Sequence, residues 1–337
     1  MGTASTEAEV HDVRRVRGGS VAVLARLQPD DVTGRRLVDS LQRLGIEAAA
    51  VSERDIDPGY CGVIVLRGNA NWYPRALSRL AAVPATERAF LVVWHSEPLP
   101  FPAAAGLPPA PLHLRERAKI LLRDARATDP YTNVRRLQGL ARHGLPDRLV
   151  VSSAGAQEYL EEIGLRSVHV PPGYHSDHGC DLGLDRDIDV LFIGSLDVPR
   201  RRHALRALRR CGVEVEAVGD WGDSRFWGES RTHLLNRARI VLNLSRHEGQ
   251  FSGERLILGM ANRALVVSEC MYRPEPFVAG EHYVEAPLRE IPSVVERFLA
   301  DPEARERIAT AGHRFVTHEL TLDRSAQRIV ELIHGTL

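Results

Sequence analysis

The chain has 337 residues, 44% of them hydrophobic, which is enough for two domains with full cores. Its 44 basic residues balance 44 acidic ones, so it lacks the basic excess of a general nucleic-acid binder. No apolar run approaches the ~18–20 residues that span a bilayer. The cysteines at 61, 180, 211 and 270 form no CxxC pair. With a polar N-terminus, these features lead us to expect a cytoplasmic protein. Lys119 is the only lysine, so anion contacts are expected to fall to arginine, a planar fork rather than a point charge.

In chain order, residues 1–17 read as a disordered tail. A buried strand is predicted over 20–27. An amphipathic helix follows over 33–46, with Leu37, Leu41 and Leu44 on one face. Strands over 47–52 and 62–68, a helix over 71–82 and a strand over 87–94 come next. Prolines fill 98–111, which reads as a long loop. Helices over 112–125 and 133–143, a strand over 149–153, a helix over 156–165 and a strand over 167–174 complete a first domain, 18–174.

The polar segment HSDHGCDLGLDR, 175–186, reads as a linker. Its His, Asp and Cys residues lack the spacing of a zinc site, and no metal is expected. A second domain, 187–320, starts with strand 189–194 and helix 200–210. Strand 213–219, helix 230–237, strand 239–245, helix 253–261, strand 264–269 and strand 282–287 follow. Helices over 291–300 and 302–316 come next, and a last helix, 322–334, lies in a C-terminal segment, 321–337. Apolar strands alternating with amphipathic helices predict an α/β protein with two doubly wound, Rossmann-like parallel sheets.

In such sheets the C-terminal ends of strands face the ligand crevice. Gly194 and Ser195 end one strand. Ser252, Gly253, Glu254 and Arg255 open the helix after a glycine-containing loop. Free N–H groups at that helix start suit a phosphate; the plainer reading is that Ser252 simply caps the helix. In the first domain His95 and Glu97 end a strand and are candidates for acid–base chemistry. Asn69, Asn71 and Trp72 end another; amides and an aromatic ring suit a sugar-like acceptor.

Several motifs in order resemble the CgeB-like group of family-1-type glycosyltransferases, which have the GT-B fold. They are WHSEPLP at 94–100, VPPGYH at 170–175, RDIDVLFIGS at 186–195, NLSR at 243–246 with GERLILGMANRALVVSE at 253–269, PEPFVAGEHYVEAP at 274–287 and LADPEARERIATAG at 299–312. The resemblance covers about residues 90–330.

It implies an enzyme that transfers a sugar from a nucleotide-activated donor to a hydroxylated or amine acceptor, small molecule or glycan. Retention of configuration is the expected outcome. It also implies a donor in the second domain, an acceptor in the first, chemistry in the cleft between them, no cofactor and no metal. The last helix is expected to cross back to the first domain. Arg200 or Arg201 with Arg255 are then the candidates for the departing diphosphate. Asn243 joins the donor set, and Trp221, Phe226 or Trp227 would stack on the nucleobase.

One position departs from the pattern. Leu258 stands where many donor helices of this fold carry a ribose-binding Glu. Glu254, one turn earlier on the same face, is the candidate substitute. The alternatives to a transferase are a nucleotide-sugar epimerase on the same fold, or a non-catalytic protein that binds a nucleotide sugar.

Overall fold

The computed structural model describes residues 20–26, 32–57, 59, 62–112, 114–122, 129–219 and 223–335. The chain divides into two compact units, Met1–Pro171 with Leu322–Leu337, and Pro172–Thr321.

The first unit holds a six-stranded parallel sheet: β1 (Ser20–Leu24), β2 (Glu47–Val51), β3 (Val63–Gly68), β4 (Phe90–His95), β5 (Arg148–Val151) and β6 (Val168–His169), in the order β2-β1-β3-β4-β5-β6. Its helices are α1 (Val32–Arg43), α2 (Pro74–Ala81), α3 (Leu114–Leu121), α4 (Pro130–Arg142) and α5 (Ala154–Glu162).

Successive strand residues point to opposite faces. Ile64, Leu66, Leu91 and Val93 therefore pack with Leu77 and Leu80 of α2, Leu137 of α4 and Leu160 of α5. Val63, Val65, Val92 and Trp94 pack on the other face with Leu37 and Leu41 of α1. A sheet covered on both faces needs apolar residues at nearly every strand position, which explains the unbroken apolar runs of β3 and β4.

The second unit holds β7 (Ile188–Ile193), β8 (Glu216–Val218), β9 (Ala238–Asn243), β10 (Leu265–Glu269) and β11 (Val284–Ala286), all parallel, in the order β11-β10-β9-β7-β8. The helices are α6 (Pro199–Arg210), α7 (Gly228–Arg237), α8 (Gly253–Ala261), α9 (Ile291–Ala300) and α10 (Pro302–Arg314). Counted from each unit's own first strand, the first sheet runs 2-1-3-4-5-6 and the second 2-1-3-4-5. The order reverses between the first and third strands, which in the second unit are β7 and β9. A crevice outside the strand ends is expected at that point.

Three observations differ from the sequence reading. Residues 167–174 yield only the two-residue β6, because Pro171 and Pro172 donate no ladder hydrogen bond. Helix α4 starts at Pro130, three residues earlier than read. The Asp129 carboxylate caps it by accepting from the N–H groups of Tyr131 and Thr132.

The third difference is the segment 175–186, which is not a free linker. It is docked on the second unit. Asn236 of α7 donates to Cys180 O at 2.9 Å and accepts from Leu182 N at 2.7 Å. Asn262 donates to His178 O at 2.8 Å. Arg231 donates to Asp177 O. His178 is fully buried.

The final helix, α11 (Leu322–Ile333), lies in the first unit. Its Leu322, Ala326, Ile329 and Ile333 join the cluster on α1 and β3. Among the described residues, no helix is long and apolar enough to cross a membrane.

Candidate functional site

The ends of β7 and β9 and the start of α8 bring two arginines together. Arg255 lies in the first turn of α8. Its Nε donates to Ile193 O at 3.1 Å. Its Nη1 donates to Asn243 Oδ1 at 2.7 Å, Leu244 O at 3.1 Å and Ser252 Oγ at 3.3 Å. Arg201, on the first turn of α6, donates from Nε to Leu244 O at 2.8 Å and from Nη1 to Ser195 O at 3.3 Å. Both guanidinium groups lie over the Phe192 ring, at 5.7 Å for Arg201 and 5.5 Å for Arg255.

Gly194 is where they converge. A Cβ there would stand 3.2 Å from Arg255 Nη2 and 3.6 Å from Arg201 Nη1. Burial, reinforced by the like charges of Arg255 and Arg246, lowers the Arg201 pKa to about 9. Burial and Arg246 lower that of Arg255 to about 10. Two desolvated cations side by side are costly, and the charge of Glu269 offsets only part of that cost. A diphosphate supplies a further anion, and the planar guanidinium suits it.

The rest of the donor set is placed as follows. Ser252 makes no side-chain cap hydrogen bond to α8; its hydroxyl accepts from Arg255 instead. The plain capping reading therefore fails, and the helix start is not covered by its own serine. Gly253 is required sterically, since a Cβ would lie 2.6 Å from Phe251 Cζ and 2.9 Å from Pro172 Cγ. The Ser195 hydroxyl accepts from Asp197 N at 3.3 Å.

Arg200 is paired with a carboxylate. Its Nη1 lies 2.5 Å from Glu269 Oε2 and 2.7 Å from Oε1. Asn243 is fully buried, holding Arg255 through Oδ1 and donating to Ser268 Oγ at 3.0 Å. Glu254 Oε1 lies 2.9 Å from His178 Nε2. Leu258 packs with Trp227 against the cluster of Phe226, Leu234 and Leu235. Phe226 is buried and its ring centroid is 5.2 Å from that of Trp227. Trp221 lies outside the described residues.

In the first unit, His95 is 2% exposed at the end of β4. Burial lowers its pKa to about 4, partly offset by the backbone of Glu97. No hydrogen bond of full geometry reaches either ring nitrogen. It is a neutral imidazole at neutral pH, as a general base must be. Glu97 follows it, half-buried, on the loop.

Asn69 and Asn71 differ from the reading as acceptor contacts. Both are 1% exposed. Asn69 Oδ1 caps the short helix at 70–72 by accepting from Asn71 N. Both amides donate to Asn133 Oδ1, at 3.3 and 3.5 Å, and Asn133 donates to Pro98 O at 2.9 Å. The cluster fastens the ends of β3 and β4 to α4. Trp72 is half-buried, with the Arg26 guanidinium 4.4 Å from its ring centroid.

Sequence reasoning passed over Glu269 and Arg246, and weighed His178 only as part of a rejected zinc site. Glu269 was the accessible one, since it ends β10 on the same edge as Gly194. Among the described residues, no group of three His, Cys, Asp or Glu is placed to hold a metal ion.

Two parallel α/β sheets, of strand order 2-1-3-4-5-6 and 2-1-3-4-5, are the architecture of the GT-B fold. Residues 200–331 match a family model described as glycosyl transferase-like. No curated protein matches the chain in sequence. Among solved structures, HepE of Anabaena in complex with UDP-glucose is similar with a TM-score of 0.63 at 13% identity, over 94% of this chain and 100% of that one. Sucrose-phosphate synthase of Thermosynechococcus elongatus gives 0.61 at 11% identity, over 94% and 98%. The β-glucosyltransferase of T4 phage gives 0.57 at 12%, over 93% and 99%.

Proposed function

We propose that this protein is a glycosyltransferase that takes a nucleotide-activated sugar in its second unit and passes the sugar to a hydroxylated acceptor. The observation that carries this reading is the convergence of Arg201 and Arg255 at Gly194, beside the uncapped start of α8. Both guanidinium groups are preorganised by backbone carbonyls, so they can stabilise charge growing on a departing nucleoside diphosphate without reorganising. The complex of HepE with UDP-glucose supports a uridine nucleotide as the first donor to try.

The leaving group would be stabilised by arginine and backbone N–H groups, without need of a metal. His95 is the candidate base toward the acceptor. The expected stereochemical outcome is retention, carried over from the sequence resemblance, and a cytoplasmic location is expected on the same footing as before. The anomeric configuration of the first-formed product reads the stereochemistry.

The experiment is a thermal-shift screen over UDP, GDP, dTDP and ADP and their sugars, followed by assay of nucleotide release with and without candidate acceptors. A rise in melting temperature with one nucleotide family, and slow donor hydrolysis, are expected. If no nucleotide raises the melting temperature, the reading fails. A second reading, a nucleotide-sugar binder without catalysis, is favoured by Leu258 alone, whose side chain packs against the Phe226, Leu234 and Leu235 cluster and offers no carboxylate for a ribose. Tight nucleotide binding with no hydrolysis or transfer would select it.

A further inference from the structure

The buried carboxylate of Glu269 has no part in the function just described. It is 2% exposed at the end of β10. Its Oε1 accepts from Ser245 N at 2.5 Å, and both oxygens face Arg200 Nη1. Arg200, Arg201 and Arg255 gather at these strand ends, and the charge of Arg246 acts on Arg201 and Arg255. Glu269 is the acidic group whose charge acts on both Arg201 and Arg255. A carboxylate buried among cations is expensive to desolvate and is retained only with partners. Here its partners are Arg200, which it holds, and the N–H that opens the loop after β9, which carries Arg246.

We infer that Glu269 is the internal counter-charge of the anion site: it neutralises Arg200, keeps that side chain away from the ligand, and limits how tightly a diphosphate is held. It is a positioning residue, not a catalytic one. The inference rests on the donor-site reading above. Two cations, Arg201 and Arg255, then face the diphosphate directly, while Arg200 is held back. The consequence is release: a site with one more uncompensated positive charge would retain the diphosphate product.

The test uses inorganic pyrophosphate as the probe, with titration calorimetry on the full chain. Glu269→Gln keeps an oxygen for the Ser245 N–H and removes the charge. It should bind pyrophosphate about three- to tenfold more tightly than the unmodified protein at low salt, the range expected for one unit charge at partly buried separations. The gain should shrink as salt is raised. Glu269→Asp restores the charge and should return the affinity to within about twofold of the original.

The double variant Arg200→Gln/Glu269→Gln removes both charges of the pair and leaves none uncompensated, so it carries the test if the single variant fails to fold. Its affinity should also stay within about twofold, because the pair is neutral either way. Unchanged or weaker pyrophosphate binding by a folded Glu269→Gln overturns the inference. So does a loss of tenfold or more in the double variant, which would mean that Arg200 itself touches the ligand. Failure of the unmodified protein to bind either pyrophosphate or UDP removes the donor site itself. Binding by the unmodified protein with no response to Glu269→Gln removes only the role given to Glu269.

Discussion

Arg201 and Arg255 donate to one acceptor, the carbonyl of Leu244, at 2.8 and 3.1 Å. Residues from two different helices are thus pinned to one backbone atom at the sheet's switch point. Neither side chain can swing to a ligand independently, so both are set before a ligand arrives.

Arg255→Ala should therefore act twice. It removes the donor to four acceptors, which by typical net values costs about 2–4 kcal/mol of stability. It also removes a charge-assisted contact, so the affinity for the best nucleotide in the thermal-shift screen should fall at least about tenfold. Retained affinity in the folded variant would sink its phosphate role.

Gly253→Ala places a methyl 2.6 Å from Phe251 Cζ. The ring must move, and overpacking of this kind costs about 1–3 kcal/mol. The melting temperature should fall, and nucleotide affinity with it, because the start of α8 is displaced. A neutral result in both measurements would show that the turn is softer than its packing implies.

Asn133→Ala removes the oxygen that accepts from the Asn69 and Asn71 amides and the amide that donates to the Pro98 carbonyl. Buried groups left unsatisfied cost about 1–3 kcal/mol each at most. Denaturant titration should show the first unit destabilised by about 2–4 kcal/mol, whereas nucleotide affinity in the second unit should be unchanged.

His95 gives the chain an acid-sensitive stability. Its folded pKa, about 4, lies below the ordinary 6.5, so the unfolded chain binds the extra proton between those values. Stability is complete above pH 6.5 and falls as the pH drops toward 4, by about 3 kcal/mol in all. His95→Gln should flatten that part of a pH–stability profile. An unchanged slope between pH 4 and 6.5 would assign the loss to other groups.

The elements were legible because buried parallel strands and amphipathic helices announce themselves locally. Helix α8 and helix α9 start and stop where their apolar spacing and flanking residues say. The Gly194 end of β7 and the loop before α8 were legible for the same reason, as a glycine at a strand end and a loop before a helix. What stayed hidden was satisfied at long range. Asn69 and Asn71 looked like ligand contacts until Asn133, more than sixty positions away, took up their amides. The segment 175–186 looked like a linker because it is polar and glycine-containing. Its fixings, Asn236, Asn262 and Arg231, belong to helices α7 and α8 and their ends. The pairing of Arg200 with Glu269, far along the chain, was hidden in the same way.

Helix α11 bears on how the protein is made. The first unit is interrupted in sequence by the whole of the second, and its cluster on α1 is completed only by Leu322, Ala326, Ile329 and Ile333. On a ribosome, the second unit has all of its residues while the first still waits for its last helix. The half synthesised first is therefore the half finished last. A premature stop that spares every residue around Gly194 would still leave the N-terminal half open, with the apolar face of α1 exposed to whatever binds nascent chains.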